Sequence, residues 1–271
     1  MARDPYPQRI VCLTEEPTEV LYRLGEQHRI VGISGFTVRP PEARKEKPKV
    51  SAFTSAKIDQ ILDLKPDLVI GFSDIQADIA RELIKAGVEV WISNHRSVQG
   101  ILDYCQRLAG LVGAAERGTQ LVAELQARID AAQAIAAGFA RRPRVYFEEW
   151  DEPMISAIQW VAEIVRIAGG DDILPVRAAA SLAKDRILPD ATEILAAKPD
   201  IILGSWCGKK FRSATVAARP GFAALPAVRD GELHEIKSPV ILQPGPAALL
   251  DGLPQISAIF ARWQARLAEA A

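Results

Sequence analysis

The chain has 271 residues, longer than one simple core usually runs, so it fits two lobes or one large α/β domain and excludes a single small module. Apolar residues make up 49% and charged residues 25%, an ordinary globular balance that excludes a disordered chain. With Lys+Arg 33 against Asp+Glu 34 the net charge is −1, a field too weak to draw a phosphate backbone or an anionic membrane, so nucleic acid is not an expected partner.

The amino terminus, Met1-Ala2-Arg3-Asp4-Pro5-Tyr6-Pro7, enters an apolar strand at residues 9–13 without the basic and long apolar regions of an export signal. Glu15-Glu16 reads as an acidic loop followed by a helical pattern that stops at Gly25, and a short aliphatic run at 29–33 reads as a second strand. Ile61-Leu62-Asp63-Leu64-Lys65-Pro66-Asp67-Leu68-Val69-Ile70-Gly71 reads as helix, turn and buried strand, because proline disfavours helix in its predecessor. Another strand is expected at 88–92. Residues 116–137 carry Leu121, Leu125, Ile129, Ala132 and Ala136 on one face, a helix that would span ~33 Å. It is either a stiff connector between lobes or an ordinary lobe helix.

The pattern then repeats. Val145-Tyr146-Phe147 followed by Glu148-Glu149 matches the first strand with its acidic loop, and the next helical pattern stops at Gly169-Gly170. Ile194-Leu195-Ala196-Ala197-Lys198-Pro199-Asp200-Ile201-Ile202-Leu203-Gly204 matches 61–71 at an offset of 133, with six of eleven positions identical. A last aliphatic run lies at 233–236. The stretch 238–250 has no charged residue but holds three prolines, and it is shorter than the roughly 20 residues of a spanning helix. These elements predict an α/β fold of two related lobes with mainly parallel sheets flanked by helices, joined by one long helix, with the ligand cleft between the lobes. The boundaries are 1–113 for the first lobe, 114–140 for the bridging helix and 141–271 for the second lobe.

Open α/β sheets take ligands outside the carboxyl ends of their strands. The residues expected there are Glu15, Glu16, Phe36, Arg39, Phe53, Thr54, Phe72, Asp74 and His95 in the first lobe, and Glu149, Trp150, Trp206, Lys209 and Gln243 in the second. Only 6% of the chain is aromatic, so rings gathered at strand ends point to a pocket for a large flat or apolar ligand, unless they merely cap the sheets. Trp160 and Trp263 fit helix faces and read as core. Glu15, Glu16, Glu148, Glu149 and Asp151 are either solvated charges at helix starts or a negative patch countered only by Arg39, Lys209, Lys210 and Arg212. The second arrangement suits an amide-rich or cationic ligand better than an anionic chelate.

No GxSxG, GxxxxGK[ST], HExxH or GxGxxG pattern occurs, so no motif supports a hydrolase, nucleotide enzyme or metalloprotease. His28 and His234 read as structural, and His95 alone is placed for a ligand. Cys12, Cys105 and Cys207 have no CxxC or zinc spacing and read as buried thiols of a reducing compartment, with Cys207 a thiolate ligand or nucleophile only as the alternative. No catalytic residue, metal site or cofactor is assigned. The expected location is the cytoplasm, or the periplasm if an export signal has been removed.

Residues 10–32, Val50-Ser51-Ala52-Phe53, the run from Lys57 through Lys65-Pro66-Asp67, the long helix, Trp160-Val161-Ala162-Glu163-Ile164-Val165 with Ala168-Gly169-Gly170, and Lys198-Pro199-Asp200 span nearly the whole chain. Together they resemble the helical-backbone (class III) substrate-binding proteins of ABC importers for vitamin B12, haem and ferric siderophores. Glu148-Glu149-Trp150 and residues 160–170 are similar to the cobalamin-binding branch. The resemblance implies a non-catalytic monomer that holds a corrinoid between Phe36, Phe53, Phe72, Trp150 and Trp206, with Glu149, Asp74 and Gln243 hydrogen-bonding peripheral amides. A ferric siderophore or haem is the alternative ligand, again a metal chelate or tetrapyrrole. A chelatase-like or corrinoid-processing enzyme using His95, Glu149 and Cys207 is the alternative of another class. Exported members carry a glutamate on each lobe, seven residues before the proline of the Lys-Pro-Asp turn, that docks on the permease. Here those positions are Asp59 and Thr192, with Glu193 adjacent, which argues against permease docking.

Overall fold

A computed structural model describes residues 5–269, so Met1 to Asp4 of the amino-terminal reading lie outside the described residues. The chain divides into two compact units: residues up to His95 with Gln99–Leu125, and Arg96–Val98 with the residues from Gln126 on.

The first unit holds a wholly parallel sheet of β1 (Ile10–Cys12), β2 (Ile30–Ser34), β3 (Lys49–Ser51), β4 (Leu68–Phe72) and β5 (Val90–Ser93), in the order β3-β2-β1-β4-β5. Helices α1 (Glu15–Arg23), α2 (Pro41–Glu46), α3 (Ile58–Asp63), α4 (Ala77–Lys85) and α5 (Val98–Leu111) connect and flank the strands. Every residue of β4 is buried, as a strand covered on both faces requires. Val11, Leu13, Val50, Ile61, Val69 and Leu83 form one core cluster. α1 ends before Gly25, whose φ of +71° supplies the left-handed turn a helix end often needs.

Helix α6 (Ala115–Ala136) is the long helix, within one residue of the expected span at each end, and Leu121, Leu125, Ile129 and Ala132 are its buried line. Near its start Arg117 reaches Glu26 and the Leu24 carbonyl of the first unit. Its last residue lies beside Gly169 of the second unit, where a Cβ would meet Ala136 at 2.8 Å.

The second unit is built on β6 (Arg144–Asp151), β7 (Met154–Ser156), β8 (Asp171–Asp172), β9 (Ile201–Gly204) and β10 (Leu233–Glu235), ordered β10-β9-β6-β7 with β8 also pairing β6. All contacts are parallel except the β6–β7 hairpin. Helices α7 (Gln159–Ile167), α8 (Pro175–Ala178) and α9 (Thr192–Ala197) flank it, and the carboxyl-terminal helix Leu253–Glu269 packs on α7. Trp160 and Trp263 are 3% and 5% exposed, the packing roles expected of them.

The sequence repeat is a repeat of hydrogen bonding. Lys65 and Lys198 both take left-handed backbone, φ 48° and 47°, between the helix and the strand of their copy. Asp67 accepts the backbone N–H groups of Gln8 and Arg9 at 2.7 and 2.8 Å, while the Arg9 guanidinium donates to the Leu64 carbonyl. In the second unit Asp200 accepts the Arg144 N–H at 2.8 Å, and the Arg144 guanidinium donates to the Ala197 carbonyl. Each Lys-Pro-Asp turn thus fastens the start of the neighbouring central strand.

This fastening corrects the alignment of the two copies. Ile10 pairs Leu68, and Val145 pairs Ile201. The offset is therefore 133 along β4 and β9 but 135 along β1 and β6, because the aspartates grip Arg9 and Arg144. Glu148 stands where the first unit has Leu13, so Glu15-Glu16 and Glu148-Glu149 are not equivalent. Nor is either pair in a loop: the first opens α1, and the second continues β6 into its hairpin.

Candidate ligand-binding surfaces

In the first unit, Glu15 and Glu16 begin α1 and are buried, 8% and 2% exposed, which corrects the reading of them as solvated charges. Glu16 accepts the Thr14 hydroxyl at 2.6 Å, and its second oxygen is buried with no hydrogen-bond partner. Burial, reinforced by the adjacent Glu16 and Glu19, pushes the Glu15 carboxyl up to about 8. Burial likewise pushes Glu16 up to about 7, although Thr14 and two backbone N–H groups pull it down. Much of this acidic charge is therefore protonated at neutral pH. The Arg39 guanidinium pairs with Glu19, one turn further along α1, at 3.5 Å.

Phe36 and Phe53 follow β2 and β3 and are 56% and 38% exposed, with Thr54 exposed beside Phe53. Gln76, 1% exposed, explains how Phe53 is placed. Its Nε2 donates to the Phe53 carbonyl at 3.1 Å, and its Oε1 accepts the Phe72 N–H at 2.9 Å. Phe72 is buried and meets the His95 ring edge-on at 5.3 Å, so it underpins the surface and does not face solvent. Asp74 is exposed at the start of the turn Asp74–Gln76.

His95 belongs to a ring column that the sequence did not reveal. Its imidazole stacks on Tyr104 at 4.6 Å, Tyr104 stacks on Trp91 at 5.4 Å, and His95 Nδ1 lies 2.6 Å from the Ser93 hydroxyl. A cavity of about 360 Å³ beside this column is lined by Trp91, His95, Asp103, Tyr104 and Arg107 among others. The faint signal for it was Tyr104 six residues into α5, on the face that turns toward the edge strand.

In the second unit the carboxylates are paired. Glu148 is fully buried and accepts Trp206 Nε1 at 3.0 Å, the Tyr146 hydroxyl at 3.0 Å and both Arg219 terminal nitrogens at 2.5 and 3.0 Å. Glu149 pairs with Arg186, itself 1% exposed and also donating to the Ser156 carbonyl. Arg186 and Arg219 lie 37 and 71 residues from their partners, so no local pattern announced them. They correct the expectation that only Arg39, Lys209, Lys210 and Arg212 oppose the acidic residues.

Trp206 is buried at 3% exposure, edge-on to Phe211 at 5.0 Å, and forms a floor. Gly204 makes this packing possible: a Cβ there would lie 1.9 Å from the Phe211 ring. Trp150, near the end of β6, is half-buried and donates its Nε1 to the Glu152 carbonyl at 2.9 Å. Lys209 Nζ sits 4.1 Å from the Trp150 ring centre and 5.2 Å from that of Trp206, and pairs with Asp151. Gln243 is half-buried in the turn before the carboxyl-terminal helix. Cys207 is exposed, unlike the buried Cys12 and Cys105, because Trp206 turns inward and leaves its neighbour outside. Among the described residues no group of three or more His, Cys, Asp or Glu side chains could hold a metal ion.

Residues 10–240 match the sequence model of the periplasmic binding protein family. A cobalamin-binding protein of Halobacterium salinarum is 24% identical over 251 residues, covering 90% of this chain and 67% of that protein. A vitamin B12-binding protein of Vibrio parahaemolyticus is 23% identical over 259 residues, covering 92% and 88%. Among solved structures, the periplasmic haem-binding protein RhuT of Roseiflexus sp. RS-1 is similar at a TM-score of 0.80 and 25% identity, over 94% of this chain and 98% of that one. The periplasmic vitamin B12 binding protein BtuF of Vibrio cholerae gives 0.76 at 22% identity, over 95% and 99%. With a match running from β1 past β10, and folds alike over nearly their full length, the chain belongs to the periplasmic binding protein family.

Proposed function

We propose that this protein is a non-catalytic solute-binding protein for a corrinoid, with the indole of Trp150 as a stacking surface. The observation that carries the reading is the second unit's strand end: a half-exposed indole, fixed by its bond to the Glu152 carbonyl, among carboxylates already neutralised by Arg186 and Arg219. Such a surface offers an aromatic face on which a large flat ligand could stack, without unpaired Glu148 or Glu149 charge beside it. The relatives named for cobalamin and vitamin B12 support the choice of ligand, and the periplasmic relatives support a periplasmic setting over the cytoplasmic one. Permease docking is expected to be weak: Asp59 is an exposed carboxylate at the start of α3, Thr192 offers none, and Glu193 is held by Arg177 at 3.1 Å.

The test is an absorbance titration and calorimetry with cyanocobalamin. Saturable binding, weakened about tenfold or more in Trp150→Ala, is expected; no heat and no spectral change at high micromolar ligand would remove the reading. Haem is the second reading, favoured by the likeness to the haem-binding protein and by the ring column that orients His95. A Soret shift with haemin that disappears in His95→Ala would select it.

A further inference from the structure

We propose that Lys209 sets the ligand charge that the second unit's indole surface accepts. Its ammonium occupies the place a flat ligand must take, so a ligand with an anionic edge is favoured over a neutral one of the same shape.

The ammonium is the group now seated on the Trp150 face, 4.1 Å from the ring centre, and its side chain is 40% exposed while that of its partner Asp151 is only 12% exposed. The seat is fixed, but the cation is carried on something that can yield. Trp206 and Phe211 are buried against one another, and between them Cys207, Gly208, Lys209 and Lys210 are all exposed. Gly208 has a φ of +76° and nothing within 4 Å of where a Cβ would stand, so the stretch between the two anchors stands in open space, and the long lysine side chain it carries has room to swing off the indole. A ring laid on Trp150 displaces the ammonium and forfeits its attraction to the indole face. A neutral ligand returns nothing for that loss. An ammonium has three donors and Asp151 takes only part of them, so a carboxylate or phosphate on the ligand's edge gives the displaced cation a new partner. The surroundings do not compete: Glu148 and Glu149 are held by Arg219 and Arg186, and Glu235 by Lys237 and the Phe211 N–H. Lys210 and Arg212 of the same loop are exposed and add to the positive side.

The choice of probes rests on the corrinoid reading; the seating of Lys209 does not. Dicyanocobinamide and dicyanocobyric acid differ by an amide in place of a carboxylate on the same ring. Lys209→Met is expected to bind the neutral probe roughly 3- to 10-fold more tightly and the acid roughly 3- to 10-fold more weakly, with Lys209→Arg keeping the wild-type order. Shifts in the same direction for both probes, or none, would overturn the proposal. If neither probe nor cyanocobalamin binds the wild type, the corrinoid reading fails, and the seating is decided on ligand-free protein by acrylamide quenching of tryptophan fluorescence. Greater quenching in Lys209→Met, absent when Trp150→Phe is also present, supports the seat; equal quenching with and without the lysine removes it.

Discussion

Removing the Arg219 guanidinium should unfold the second unit more readily than any single loss of apolar contact at its surface. Glu148 has no exposure, and two of its four hydrogen bonds come from Arg219. In Arg219→Met the carboxylate keeps the Tyr146 hydroxyl and Trp206 Nε1 but loses its counter-charge. A charge-assisted hydrogen bond contributes about 1.5–3 kcal/mol, and breaking a buried ion pair from one side costs about 3–5 kcal/mol because the remaining charge has no solvent. The expected loss is therefore about 3–5 kcal/mol, a fall of roughly 10 °C in melting temperature. The double variant Glu148→Gln with Arg219→Met removes both charges and should recover most of that loss, giving a large coupling energy in a double-mutant cycle. Urea and thermal unfolding followed by circular dichroism are the assays. A single variant within about 1 kcal/mol of the wild type, or a double variant no better than the single, would show that the pair is not the anchor beneath Trp206.

Three further outcomes are expected. Because Glu15 and Glu16 are held above their unfolded values, at about 8 and about 7, their stabilising protonation is complete below about pH 4 and is lost as pH rises through 7 and 8; Glu15→Gln should flatten the fall in unfolding midpoint between pH 5 and 9, and an unchanged slope would count against it. Asp200 runs the other way: burial alone would raise it, but hydrogen bonds from Arg144 and Arg141 hold it below the usual range. Its contribution is thus present above its unfolded value near 3.9 and lost as pH falls through the lower folded one, so Asp200→Asn should cost roughly 1–3 kcal/mol at pH 7 and less in acid-denaturation titrations. Finally, burial pushes the Cys12 and Cys105 thiols up to about 12 while Cys207 is exposed; a thiol reagent should modify one cysteine in the native protein and three in denaturant, and rapid reaction of more than one would contradict the packing.

Much of the fold was legible because it is written in local periodicity and turn chemistry. Most aliphatic runs became strands displaced by no more than two residues, the exception being β6, which runs four residues past Phe147 to Asp151, and the long helix closed within one residue of its expected ends. The two glycine stops and the two Lys-Pro-Asp turns were visible for the same reason: each requires a backbone state that few residues tolerate. What was not legible depends on partners far apart in the chain. Pairing the acidic residues by their spacing in sequence placed Glu148 opposite Glu15, whereas the strand register places it opposite Leu13. The same distance hid Arg186 and Arg219, whereas the stacking of His95 on the nearby Tyr104 was hidden because it depends on how α5 lies against β5. Exposure was the other blind spot. Aromatic residues at strand ends look alike in sequence, yet Phe36 is open while Phe72 and Trp206 are covered.

The two aspartates that grip the starts of β1 and β6 have a consequence for fidelity of assembly. In a half-buried strand, sliding by one residue turns apolar side chains outward and is penalised at once. β4 and β9 are buried at every position, so aliphatic composition alone scarcely distinguishes one alignment from the next. A carboxylate that must meet two particular N–H groups does distinguish them: a slip in either direction leaves Asp67 or Asp200 without its donors and the helix-end carbonyls without Arg9 or Arg144. Hydrophobic residues in these strands can therefore drift among Val, Ile and Leu without loss of alignment, provided that the aspartate and the arginine across from it are kept.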